Sequence, residues 1–196
     1  MTEKIVKSWI KMYPNMTISE YIDLLNNLSL GKSHTEFSAI GMLLRLKPKL
    51  RRELNPTTVS NWLNCTEGWA EVDAICQGNF TANEMLNDWD SWKKVLDTLA
   101  IAKNIHKRRA SLVLLTGPVR HSQDSRLSDM AFKNIEILKS GKEILVTKAI
   151  SWLLRDLVKL HKEKVENYLN TNETTLPRIA MRETRNKLKS GRKSGK

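Results

Sequence analysis

The sequence predicts an all-α protein, a solenoid in which short helices pair and the pairs stack side by side. Three observations predict it. Apolar residues recur at three- and four-residue spacing through nearly the whole chain, and no stretch reads convincingly as a strand. The Ser/Thr-x-x-Glu pattern of a capping box occurs at Thr17 with Glu20, Ser33 with Glu36 and Thr81 with Glu84. The turns between apolar runs are short, so about a dozen helices of ordinary length fit into 196 residues.

Taken in order, residues 3–12 place Ile5, Val6, Trp9 and Ile10 on one side of a first helix. The first capping box opens a helix bearing Tyr21, Leu24, Leu25 and Leu28, and the second opens one bearing Phe37, Ile40, Leu43 and Leu44. Lys47-Pro48 ends the latter, because the residue before a proline is pushed out of helical geometry. Asn55-Pro56 starts a helix with Val59, Trp62 and Leu63. Around Trp69 no Gly or Pro intervenes from 69 to 77, which predicts another. Thr81 opens a short helix, and Asp90 opens one with Trp92, Val95, Leu96 and Leu99. Residues 105–116 follow, with Gly117-Pro118 read as their stop. Helices are then expected over 125–138, about 142–160, around Val165, Tyr168 and Leu169, and over 177–188. Residues 1–188 read as one domain of degenerate repeats of the HEAT sort, and 189–196 as a disordered basic tail.

Composition narrows the function classes. Hydrophobic residues make up 40% of the chain, enough for a packed core. The formal net charge is +12, which points to a polyanion: nucleic acid first, an anionic membrane surface second. Residues 178–196 hold eight Lys/Arg against one Glu, so the last helix and tail should add non-specific affinity for nucleic acid. Cys65 and Cys76 have no CxxC spacing and read as small hydrophobes in a reducing compartment. His34, His106, His121 and His161 are scattered and form no metal-ligand pattern. No Gly-rich phosphate loop, GxSxG elbow, signal peptide or apolar run of membrane-spanning length is present, and a soluble cytoplasmic monomer without metal or organic cofactor is expected.

Some residues sit on the wrong face of their helix. Asp73 lies one turn from Trp69, at the edge of a stripe containing Val72 and Cys76. It either pairs with a neighbouring helix or forms, with the ring, a small site for a cation. Arg109 falls in the middle of the stripe of Ile105, Leu112 and Val113. It either makes a buried ion pair, with Asp73 a candidate, or is held on a concave surface for a phosphate. Trp152 lies away from the stripe of Val146, Ile150, Leu153, Leu157 and Leu160, among Lys148, Arg155, Asp156 and Lys159. It is either covered by a neighbouring helix or presented to nucleic acid beside phosphate-binding cations. In a solenoid, helices separated by one repeat line one surface, so these groups could converge.

The blocks Trp69-Ala70-Glu71-Val72-Asp73, Arg108-Arg109-Ala110 and 148–156 (KAISWLLRD), with a weaker Arg182-Glu183, resemble the AlkD family of DNA alkylation repair proteins, DNA glycosylases built from HEAT-like repeats. The resemblance runs from about residue 33 to 188 and implies a concave basic DNA-binding surface. It implies hydrolysis of the N-glycosidic bond of N3- or N7-alkylated purines in duplex DNA, whose positive charge makes the base a good leaving group. Asp73 would then stabilise the oxocarbenium-like sugar and position water. Trp69 and Trp152 would cradle the deoxyribose, Arg109 would hold a phosphate, and Lys148, Arg155 and Arg182 would contact the backbone. The resemblance implies action without full extrusion of the base. His106 stands where the family often has an aromatic, and Ile144-Leu145 where Phe is usual; the N-terminal part of the DNA clamp reads as reduced. Two other readings stand beside this one: a catalytically silent protein that binds damaged or branched DNA, and a helical scaffold for an acidic protein.

Overall fold

The computed structural model describes residues 2–195. Among them there are 13 α-helices and no strand. They are α1 (Thr2–Met12), α2 (Ile18–Ser29), α3 (His34–Leu46), α4 (Pro48–Arg52), α5 (Thr57–Trp62), α6 (Trp69–Cys76), α7 (Ala82–Asn87), α8 (Trp89–Ala100), α9 (Ile105–His121), α10 (Ser125–Leu138), α11 (Ile144–Leu157), α12 (Lys162–Thr171) and α13 (Arg178–Ser190). A short 3₁₀ turn, Leu63–Cys65, follows α5.

Local chemistry explains where the helices begin. At Thr17 and Thr81 both halves of the capping box form: the hydroxyl accepts from the amide three residues on, and the glutamate accepts from the cap amide. At Ser33 only the Glu36 half is made, at 2.8 Å. Gly68 has no side chain to cap α6, and Glu71 compensates by accepting from the amides of Glu67 and Gly68.

The helices form two rows. α1, α3, α6, α9, α11 and α13 pack in succession in one row, each against the next. α5, α8 and α10 succeed one another in the second row, with α2 and α12 at its ends joined by the bonds from Trp62 to Asn26 and from Lys164 to Ser128. The core lies between the rows, around Phe37, Ile40, Trp62, Ile75, Leu96 and Leu112, all 2% exposed or less. This is the α-solenoid arrangement that the apolar periodicity predicts.

One number organises the stack. Many side-chain hydrogen bonds between successive helices of a row join residues 36 apart: Asn26 with Trp62, Asp73 with Arg109, Arg109 with the Leu145 carbonyl, Asp97 with Lys133, Arg120 with Asp156, Ser128 with Lys164. Toward the C-terminus the spacing shortens, to 32 for Ser151 with Glu183 and for Glu136 with Tyr168. From α6 through α9 to α11, residue i of one helix therefore stands about level with residue i+36 of the next, and these helices run parallel.

Two boundaries differ from the sequence reading. α9 does not stop at Gly117-Pro118 but continues to His121 with Pro118 inside it. A proline ring clashes with the Cβ of the residue before it when that residue is helical, and Gly117 has none. The C-terminal segment also departs from expectation. Lys189 and Ser190 belong to α13, Gly191 ends the helix at φ 72°, and the chain folds back so that Asn186 donates to the Lys193 carbonyl and Lys193 lies 3.3 Å from Glu183. Lys196 lies outside the described residues.

Candidate active site

α9 is the centre of the molecule. It packs against α6, α7, α8, α10 and α11, so every residue from 109 to 116 is buried. A helix covered on all sides should be apolar all round. Arg109 breaks that rule, and its surroundings show how the guanidinium is accommodated. Nε donates to Asp73 Oδ1 at 3.0 Å and Nη2 to Oδ2 at 2.8 Å, while Nη1 donates to the Leu145 carbonyl at 2.7 Å. One side chain thus joins α6, α9 and α11. Both partners are poorly hydrated, with side-chain exposure of 7% for Arg109 and 13% for Asp73. The bidentate geometry satisfies both carboxylate oxygens and fixes the carboxylate's orientation.

One turn before Asp73, Trp69 opens α6 and is 57% exposed. A large indole left in water beside a rigid, paired carboxylate is the most unusual feature of this face. On the other side of Asp73, Cys76 is fully buried, and burial pushes its thiol well above the ordinary range. Together with its lack of a disulfide partner, this makes Cys76 an unreactive core residue.

Trp152 lies on α11. By the 36-residue register with α9 it stands level with Thr116, whereas Trp69 stands level with Ile105. Their backbone positions are thus about eleven residues of register apart, roughly 16 Å along the helix axes. Asp73 lies between them along α6: Trp69 is one turn before it, and Gln77, which lines a cavity with Trp152, is one turn after it. Trp152, half-buried, lines a cavity of about 330 Å³ with Gln77, Gly78, Phe80, Arg120, His121 and Asp156 among its walls.

In that cavity a second carboxylate pairs with a second arginine. Arg120 donates to Asp156 Oδ1 through Nη2 and, at 3.2 Å, through Nε. Burial is the largest influence on Asp156 and raises its carboxyl above the ordinary aspartate value, outweighing Arg120, Arg155 and the nearby Trp152 side chain.

The predicted cations fall into two groups. Arg109 is 5% exposed with all three nitrogens engaged, so it is a structural partner of Asp73 before it is anything else. Arg155 donates to the Ser151 carbonyl at 3.1 Å and lies 3.6 Å from Glu183, which ties it to α13. Lys148 and Arg182 are exposed and, among the described residues, make no ion pair. The sequence reading missed Arg120, because it placed that residue in a loop, and did not single out Asp156. The signal was available: Arg120 and Asp156 are 36 apart, as are Asp73 and Arg109.

Among the described residues no group of His, Cys, Asp and Glu side chains is arranged to hold a metal ion, and no helix is long and apolar enough to cross a membrane. The family model described as DNA alkylation repair enzyme matches residues 1–188. No curated protein matches the chain.

Proposed function

The chain belongs to the DNA alkylation repair enzyme family, whose partner is DNA, and from that premise we propose that it is a DNA glycosylase releasing N3- or N7-alkylated purines from duplex DNA. The observation that carries this reading is the Asp73 carboxylate, locked by Arg109 one turn from the exposed ring of Trp69.

The substrate chemistry suits so plain a site. An N3- or N7-alkylated purine carries a positive charge and leaves as a neutral base, so little acid catalysis is needed. The barrier lies in the sugar, which gains oxocarbenium character as the bond stretches. A carboxylate already oriented by a buried arginine stabilises that charge without reorganising at the moment of reaction. Each Asp73 oxygen uses one lone pair for Arg109, leaving acceptor capacity for the attacking water. The Trp69 ring offers its negative face to the same developing cation. Lys148 and Arg182, exposed and without an ion pair among the described residues, are free to meet phosphates, and the helical stack acts as one DNA-binding unit.

A second reading has an observation of its own. Both Asp73 oxygens bond to Arg109, as in a purely structural pair, which favours a protein that binds damaged or branched DNA without cleaving it. The test is release of free 7-methylguanine from methylated duplex DNA. The glycosylase reading expects release at a rate above the spontaneous background. Tight binding of the same DNA without release leaves the silent binder.

A further inference from the structure

α1 and α2 both pack on α3 but make little contact with one another. A groove of about 480 Å³ lies between them, where the last turn of α1 meets the start of α2. Trp9 and Tyr13, one turn apart, form one wall, with ring centroids 4.6 Å apart. Met12, Met16 and Leu24 supply the apolar remainder. Lys4, Lys7 and Lys11 project roughly opposite to Trp9 on the helical wheel, and residues 12–31 contain Glu20 and Asp23 but no Lys or Arg. In a chain of net charge +12 this groove therefore lacks the basic character that suits a phosphate.

Among the described residues Glu20 is the one charged side chain that lines the groove. Its Oε2 accepts from the Thr17 amide and hydroxyl, both at 2.8 Å, which fixes the carboxylate in the capping box of α2. Those bonds from Thr17 hold the carboxyl below the usual glutamate range, so it stays charged at neutral pH. Oε1 makes no hydrogen bond among the described residues.

This combination discriminates among occupants. An apolar helix laid in the groove would strip water from Oε1 and return nothing for it. An anion would meet Glu20. A primary ammonium would give up strong hydration to a wall of carbon and sulfur. A quaternary ammonium is weakly hydrated, carries the charge that Glu20 calls for, and has methyl groups that suit aromatic faces and thioethers. The volume lies within the range of small-molecule sites.

We propose that the groove between α1 and α2 binds a small quaternary ammonium compound of the choline type, with its methylated nitrogen against Trp9 and Tyr13, its charge facing Glu20 and its hydroxyl toward Asn15 at the rim. α1 and α2 carry none of the residues assigned above to DNA or to bond cleavage, so the site is independent of the glycosylase reading.

The test is an NMR titration of the full chain at constant ionic strength, with choline chloride and, separately, with 3,3-dimethylbutanol, its uncharged carbon isostere. The chain has six tryptophans, and Trp9→Phe identifies the indole N–H signal of Trp9. Choline should shift that signal and bind about tenfold more tightly than the isostere, the scale of one partly desolvated cation–π contact. Glu20→Gln should cut this advantage about threefold, and glutamine serves a capping box as glutamate does, so α2 keeps its start. Tyr13→Leu, at an exposed position just beyond α1, should weaken choline about threefold and leave the isostere unchanged. Equal binding of choline and the isostere overturns the proposal, because the groove would then be merely apolar. So does a choline shift confined to other tryptophans, or an advantage that survives undiminished in both variants. Release of 7-methylguanine is measured separately, so absence of glycosylase activity leaves the outcome for the groove standing.

Discussion

Asp73 with Arg109 and Asp156 with Arg120 are the same device placed twice, a carboxylate and an arginine bridging successive parallel helices at a spacing of 36. They differ in which partner is buried. In the first pair the arginine is the deeper, 7% against 13% by side chain; in the second the arginine is 46% exposed and the carboxylate 9%. A buried guanidinium cannot lose its proton, so it demands a permanent anion. A buried carboxyl facing a hydrated arginine has an alternative, because it can take up a proton, and its raised pKa is that tendency. The first pair is therefore a rigid fixture that also presents an anion beside Trp69. The second is softer and borders open space.

The largest effect that would test this contrast is on stability. Arg109→Gln removes two bonds to Asp73 and one to the Leu145 carbonyl, leaving a poorly hydrated carboxylate unpaired at the junction of three helices. Unfolding in urea should show a loss of about 3–5 kcal/mol. A loss below about 1 kcal/mol would mean that water reaches Asp73 and that the two pairs do not differ in kind. Next comes Asp73→Asn, which keeps the shape and removes the charge. Single-turnover release of 7-methylguanine should slow on the order of 10²–10³-fold. Thermal melting of the same preparation should also fall, because Arg109 loses its counter-charge. A variant that melts lower but excises at the wild-type rate would reduce the first pair to a structural brace. Arg120→Gln should be milder, about 1–2 kcal/mol in urea, since the Asp156 carboxyl can be neutralised by protonation instead of remaining charged and unpaired.

The sequence made the first pair legible and hid the second, for reasons that lie in particular residues. Arg109 stood out because a cation in the middle of an apolar stripe contradicts its own helix, and the stripe was long enough to define. Asp73 was its natural partner once parallel helices one repeat apart were expected. Arg120 carried no such contradiction. Gly117-Pro118 reads as a helix stop, which removed Arg120 and His121 from any helical face before their environment could be considered. The glycine that suggested a break is what permits the proline to continue the helix. Trp152 was correctly seen to lie off its apolar stripe. Its position along the stack relative to Trp69 was not legible, because it depends on the register between α6, α9 and α11, which side-chain bonds fix and which no repeated motif announces. The cavity was invisible for a related reason: it comes from unequal lengths of α6 and α9, and helix ends are the least defined feature of an apolar pattern.

Asp156→Asn gives the smallest effect and the sharpest separation of the two pairs. The amide keeps an acceptor for Arg120, and that arginine is hydrated enough to tolerate a neutral partner, so stability at pH 7 should change by no more than about 1 kcal/mol. The pH dependence is the decisive part. The folded protein holds the Asp156 proton more tightly than the unfolded chain does. This group's contribution to stability is therefore fully present below the ordinary aspartate pKa of about 3.9, and is lost as pH rises through the raised folded value. Asparagine has no such dependence. Subtracting the variant's unfolding free energy from that of wild type, at a series of pH values from 7 down to 4, should give a difference that moves in favour of wild type as the solution becomes more acidic. In Glu84, Asp97 and Glu136, burial on its own would raise the carboxyl but is outweighed by bonds from their partners, so these groups weaken both proteins in acid and cancel in the difference. A difference that moves the other way would mean that Arg120 holds Asp156 ionised as firmly as a buried arginine would, and the distinction between a sealed pair and an open one would have to rest on the cavity alone.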